Sequence, residues 1–403
     1  MKKTLIAMAA LAATGAFAQV SIVGGIDAGY KVITHSGNPT AAWSGVGGNN
    51  VMTSAIIFKG VEDIGGGVKG SFLYEIDPTV DRNTTLNQAT AGAGQNFSGA
   101  SAVNSEVYVG LSGAFGDLKF GSPNSPGLIA MLTSQPFGTA LGGGVNGGYG
   151  RLGTNGTSGL NQYVGGPASG GRIIRSEKAA VYTTPAFSGI SAQLEYSGQN
   201  ANGQYTSNDN GLLGLAVSYN QGPLNLMYYN AKASAGGIAA AGTPAVLGAV
   251  SANKLAANTS VTWNVFGANY TFGSTTLMGG YTTTKTDDAL LTTTSMENSS
   301  SWNVAFKQVY GAWDFLGNYL VRTSKLTATE AGVAGFAEQS TQLALGVNYN
   351  FSKRTSVYAR YEALTGLNAK VSAASPAGTG TPGFAAFNDA KQTTTVAGVK
   401  VLF

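Results

Sequence analysis

The sequence predicts an all-β fold: a 16-stranded antiparallel transmembrane β-barrel with long external loops. Three observations predict it. Segments of about ten residues alternate apolar and polar side chains from Val20 to the final residue, Phe403, and a strand sends successive side chains to opposite faces. The connections between these segments alternate between short and long. Only 10% of the 403 residues are charged, against about 25% in a typical soluble domain. A wall with lipid outside and water inside accounts for that scarcity.

Residues 1–18 read as a secretory signal peptide, with 19–403 as the barrel domain. Lys2 and Lys3 supply a positive start, Thr4 to Ala13 an apolar stretch, and Ala16-Phe17-Ala18 a small-x-small cleavage site before Gln19. That apolar stretch is too short to span a bilayer, and no later run of 18 apolar residues exists. Without Lys2 and Lys3, 21 basic residues face 19 acidic ones, from totals of 23 and 19. The basic residues are scattered, which argues against nucleic acid as a partner. The chain has no cysteine, so an exported protein of this size holds together without disulfides.

The strands follow in order. Val20, Ile22, Tyr30 and Val32 oppose Ser21, Asp27 and Lys31. Ile56 and Phe58 oppose Lys59; Val68, Phe72 and Tyr74 oppose Lys69, Ser71 and Glu75. Val107, Val109 and Leu111 oppose Glu106 and Tyr108, Leu118 and Phe120 oppose Lys119, and Ala180 and Tyr182 oppose Arg175 and Glu177. Leu213 to Tyr219, Leu224 to Tyr228, Phe266 to Tyr270, Leu277 to Tyr281, Trp302 to Phe306, Trp313 to Tyr319, Leu343 to Phe351 and Val357 to Tyr361 repeat the pattern. The last strand sorts Thr395, Ala397, Val399, Val401 and Phe403 from Val396, Gly398, Lys400 and Leu402. Seven short and eight long connections fit 16 strands with both termini at the short-turn rim. Tyr and Phe gather near the strand ends, where rings with a polar tip suit the membrane boundary. A soluble β-sandwich would need inward faces on two packed sheets and gives no reason for the terminal Phe403.

Sites of other chemistries are weak. The one histidine, His35, falls in an expected external loop, so a Ser-His-Asp arrangement lacks a positioned base. No His or Cys cluster suits zinc. Asp287-Asp288 and Asn208-Asp209-Asn210 lack the spacing of a calcium cage. Gly142, Gly144 and Gly147 form a Gly-x-Gly-x-x-Gly string that opens no helix. The reading is therefore of a protein without catalysis, cofactor or metal.

Particular segments resemble the trimeric general porins of β-proteobacterial outer membranes. Phe58-Lys59-Gly60-Val61-Glu62-Asp63-Ile64-Gly65-Gly66-Gly67-Val68-Lys69 looks like the family's second turn, and Val109 to Gly116 resembles its third hairpin. Tyr182-Thr183-Thr184-Pro185-Ala186-Phe187-Ser188-Gly189 is similar to its Tyr-x-Ser-Pro-x-Phe-x-Gly turn, and Gly398 to Phe403 resembles its closing strand. The resemblance implies a homotrimer in outer-membrane lipid, with periplasmic termini, through which ions and small hydrophilic solutes diffuse. It also implies a third loop, here Pro123–Gly171, folded into the lumen to narrow it. Phe403 would be the signal read by the outer-membrane assembly machinery.

The chain departs from that family in places. Ala55 stands where a lumen Arg is usual, Gly121-Ser122-Pro123 where Gly-Arg-Gln is usual, and Val401 where a His is usual; Arg175 matches a family arginine. The third loop holds no Asp or Glu, only Arg151. The residues expected at the constriction are Arg175, Lys59, Lys69, Lys119, Glu75 and Glu106. Over the whole lumen, nine inward basic residues balance seven acidic ones, which predicts weak ion selectivity. Arg175→Ala would shift preference toward cations. Tyr149 and Tyr163 in the third loop leave a saccharide channel as the alternative, and the long uncharged loops an adhesin or receptor.

Overall fold

A computed structural model describes residues 19–36, 42–78, 80, 106–140, 144–145, 171–172, 175–176, 178–198, 211–234, 259–288, 299–324, 339–367 and 390–403. In chain order the strands are β1 (Gln19–His35), β2 (Trp43–Gly48), β3 (Ala55–Gly65), β4 (Val68–Ile76), β5 (Val107–Gly113) and β6 (Gly116–Ser122). A short helix, α1 (Pro126–Thr133), and a small hairpin of β7 (Gly171–Arg172) and β8 (Arg175–Ser176) come next. Then follow β9 (Ala179–Thr183), β10 (Ile190–Ser197), β11 (Gly211–Gln221), β12 (Leu224–Ser234), β13 (Thr259–Phe272) and β14 (Thr275–Asp288). The last five are β15 (Ser299–Tyr310), β16 (Trp313–Ser324), β17 (Gln339–Asn350), β18 (Thr355–Leu367) and β19 (Ala390–Leu402).

Each wall strand pairs antiparallel with its neighbour, and β1 pairs with β19 from Gly25↔Leu402 to His35↔Gln392, closing the cylinder. Two further bonds seal the seam: Gly24 N–H donates to Phe403 O and Phe403 N–H to Gly24 O, both at 3.1 Å. Seventeen strands fill 16 wall positions, because β1 pairs with β3 over Gln19–Gly25 and with β2 over Ala28–Ile33. β2 and β3 are one wall strand, interrupted by residues 49–54.

The alternation sorts as the sequence predicts. Val109 on β5 is 60% exposed on the outer face, and Ile22, Leu213, Leu215, Leu345 and Val399 are likewise exposed on theirs. Lys59, Ser71, Gln193, Thr282, Asn303 and Asn318 occupy the inner face by register. A soluble sheet would bury its apolar rows; here they face outward, the arrangement of a lipid-facing wall.

The packed apolar core lies inside the barrel, between α1 and the inner faces of β11–β14: Leu128, Met131, Tyr229, Trp263 and Val265 are all buried there. Ser125 starts α1 by accepting the Leu128 N–H on its Oγ at 3.2 Å, and Pro126 follows at the first position, where its missing donor costs nothing. The carbonyls left over at the helix end are taken by the wall: Asn269 Nδ2 donates to Thr133 O (3.1 Å) and Asn303 Nδ2 to Ser134 O (2.7 Å). Residues 123–140 of the third loop therefore fold inward, with α1 against the lumen wall.

Two placements differ from expectation. Arg175 leaves the wall: Lys178 turns the backbone left-handed (φ 54°), so the wall strand starts at Ala179 and Arg175 sits on the β7–β8 hairpin. His35 is no loop residue but the buried last residue of β1, opposite Gln392, because the β1–β19 ladder runs on through Thr34↔Thr393. The signal segment, Tyr149, Tyr163, Arg151 and Asn208–Asn210 lie outside the described residues.

Candidate functional site

The lumen has two unlike sides. α1 packs on β11–β14. Counting round the wall from β3, through β4, β5, β6, β9, β10, β11 and β12, the eighth neighbour is β13; β3 and α1 thus face each other across the cylinder. Their heights agree. Lys59 lies six residues before Gly65, the last of β3, and Gly267 five before Phe272, the last of β13. Gly267 is where α1 touches the wall: a Cβ there would meet Ala130 O at 2.0 Å. Lys69, one residue into β4, and Lys119, three into β6, lie on the same inner wall nearer the short-turn rim. Lys119 Nζ sits 3.4 Å from Asp117 Oδ2 and 4.7 Å over the Tyr108 ring. Lys59 and Lys69 make no ion pair among the described residues.

Where the third loop leaves and rejoins the wall, four segments are tied together. Arg175 Nε donates to Asn124 Oδ1 (2.6 Å), and its Nη2 lies 3.7 Å from Glu75 Oε2. Asn124 donates its backbone N–H to Glu106 Oε1 (3.0 Å) and its Nδ2 to Glu106 Oε2 (2.9 Å). Glu106 N–H donates to Glu75 Oε2 at 2.8 Å. Of the six residues expected at the constriction, Arg175, Glu75 and Glu106 are thus brought together at the loop's root. Lys59, Lys69 and Lys119 stand apart from them on the open wall.

Asp77, one residue past β4, joins the root cluster. Burial, with Glu75 beside it, pushes its carboxyl up to about 7, against the opposing pull of Arg175. A raised carboxyl pKa means that the folded protein keeps a proton the unfolded chain releases near 4. Stability then falls as pH rises from about 4 through about 7 and levels off above. Asp77→Asn is expected to flatten that part of the stability-versus-pH profile, measured by thermal unfolding in detergent. A profile unchanged in the variant would place the effect elsewhere.

A second buried carboxylate organises the interrupted wall strand. Asp27, fully buried on the inner face of β1, accepts the backbone N–H groups of Asn50 (2.7 Å), Val51 (2.6 Å) and Met52 (3.2 Å) on Oδ2. Its Oδ1 accepts Asn50 Nδ2 (3.2 Å) and the Tyr358 hydroxyl. Successive N–H groups converging on one anion form a nest, and this one draws residues 49–54 into the lumen. Thr53 Oγ1 then meets Thr139 Oγ1 of the third loop at 3.0 Å. Next to it, Arg360 is held over the Phe137 ring (5.8 Å) and hydrogen-bonds Asn348 Oδ1 at 2.6 Å. The sequence pattern places Asp27 on the inner face but carries no sign of the roles of Asn50, Asn124, Asp77 and Tyr358. Among the described residues no three His, Asp or Glu side chains gather as a metal set.

Comparison with known proteins agrees with this geometry. A sequence model of the Gram-negative porin family matches residues 4–368. Outer membrane porin protein 32 of Delftia acidovorans is 27% identical over 364 residues, covering 89% of this chain and 88% of that protein. Major outer membrane protein P.IB of Neisseria gonorrhoeae is 33% identical over 130 residues, covering 31% of this chain and 33% of that protein. Among solved structures, the anion-selective porin from Comamonas acidovorans superposes with a TM-score of 0.68 at 21% identity, covering 96% of this chain and 100% of that one. OmpF of Salmonella typhi gives 0.60 at 14%, covering 95% and 97%. With a closed 16-position wall and a family match across most of its length, the chain belongs to the Gram-negative porin family.

Proposed function

We propose that this outer-membrane porin passes small hydrophilic solutes by passive diffusion with a preference for anions over cations. The observation that carries the preference is the uneven engagement of its inward charges. Most of its inward carboxylates are tied up: Asp27 in its nest, Glu75 and Glu106 at the loop root, Glu195 accepting from Tyr229 Oη (2.6 Å), and Asp314 against Lys307 (4.0 Å), Asn348 and Asn350; Asp63, opposite Lys69 at the short-turn rim, is an exposed exception. Lys59 and Lys69 remain open to water with no ion pair among the described residues. The residue count balances, but exposed and unpaired charge sets a pore's field. The anion-selective porin from Comamonas acidovorans, similar in fold, supports the same reading.

In this reading Lys59 is the leading constriction residue, with Lys69 and Lys119 extending a basic wall and Arg175, Glu75 and Glu106 holding the loop. The protein works as a homotrimer, as its family resemblance implies. The short-turn rim, with Gln19 and Phe403, faces the periplasm, where the assembly machinery reads Phe403. Residues 1–18 serve as an export signal. Catalysis and cofactors play no part.

The test is the reversal potential in a potassium chloride gradient across planar bilayers. The native channel is expected to reverse on the anion side, and Lys59→Glu to move the potential toward the cation side. An unchanged potential in Lys59→Glu would remove Lys59 from the constriction, and a cation-side native potential would refute the preference.

A further inference from the structure

We infer that the lumen between Lys59 and α1 favours small organic anions that carry an apolar body beside the carboxylate. The inference rests on the anion-preferring reading above and names its solute class. Two unlike surfaces face each other at one height. On β3 the inner face offers the Lys59 ammonium, which makes no ion pair among the described residues. Opposite, the loop segment from Pro123 to Ala140 contains no charged residue at all. α1 buries Leu128, Ala130 and Met131 against the wall. Its other side presents Ile129, 41% exposed.

An isoleucine turned toward a water-filled lumen distinguishes among solutes. A hydrated inorganic anion gains nothing from Ile129. An anion with a hydrocarbon body displaces water from it while its carboxylate stays in the field of Lys59. Contact of that kind is roughly proportional to the apolar area covered, and the partial coverage open to a passing solute corresponds to roughly a fivefold gain in relative permeability.

The probes are cyclohexanecarboxylate and shikimate, two six-membered-ring monocarboxylates that differ chiefly in their ring hydroxyls. Both are ionised near pH 7.5, far above the ordinary carboxyl range of about 4. Their permeabilities relative to chloride come from bi-ionic reversal potentials on the full-length channel. The expected result is roughly fivefold preference for cyclohexanecarboxylate, falling toward equality in Ile129→Asn. Equal permeation of the two carboxylates in a native channel that prefers anions in potassium chloride overturns this inference and leaves the diffusion reading intact. A ratio that persists in Ile129→Asn also overturns it. Absence of anion preference in potassium chloride defeats the underlying reading and this inference with it.

Discussion

Gly267→Val is expected to unseat the third loop, lowering single-channel conductance and making the current flicker. Gly267 lies on the inner face of β13, where α1 comes closest. A Cβ there would fall 2.0 Å from Ala130 O and 3.0 Å from its carbonyl carbon, with the Thr133 Cβ at 3.2 Å. The obstacle is backbone, so no rotamer change relieves it. Neither side retreats without cost. The wall strand is paired on both sides over its length. α1 is pinned by Leu128 and Met131 in the core and by Asn269 and Asn303 at its end. Overpacking of this sort ordinarily costs about 1–3 kcal/mol, so the helix moves off the wall into the lumen while the barrel stays closed. Native conductance and quiet current in Gly267→Val, with normal strand content by circular dichroism, would show that α1 does not rest on β13.

Asp27→Ala is expected to lower thermal stability by about 3–5 kcal/mol, because several donors lose one shared buried acceptor at about 1–3 kcal/mol each. The carboxylate serves the N–H groups of Asn50, Val51 and Met52, the Asn50 amide and the Tyr358 hydroxyl. Each loses its acceptor, and the buried ones, the Asn50 N–H and amide and the Tyr358 hydroxyl, are expensive to leave unpaired. Residues 49–54 would then leave the lumen and become open to protease. Tyr358→Phe removes one donor and should cost only about 1 kcal/mol. Equal losses in the two variants would mean that the N–H nest contributes little.

The strands were legible because lipid outside and water inside impose a strict period of two, and the seven short turns stand between them with few ambiguities. Interruptions of that period were not. β2 and β3 form one wall strand split at Asn49, whose φ of 55° begins the turn toward Asp27; the nest uses backbone N–H groups, which no side-chain pattern advertises. Arg175 was expected on a wall strand for the same reason, since its departure depends on a left-handed Lys178. α1 did leave signals. Ser125-Pro126 is a helix start, and the inner faces of β11–β13 carry Ala216, Met227, Tyr229, Trp263 and Val265 where polar residues belong. Apolar side chains on the water side of a barrel mean that something covers them, and the third loop does. The constriction was half readable: residue type and face put Lys59, Lys69 and Lys119 inside, whereas pairing, which decides the charges that remain free, depends on side chains brought together from segments far apart in the chain.

The sorting of side chains between oil and water is tested most directly in the cysteine-free chain by single cysteines at adjacent positions: Phe58 and Lys59 on β3, Ser71 and Phe72 on β4. A charged, membrane-impermeant thiol reagent is expected to label Lys59→Cys and Ser71→Cys and to change the current through open channels, while sparing Phe58→Cys and Phe72→Cys. Labelling of the two phenylalanine positions with protection of the other two would contradict the account.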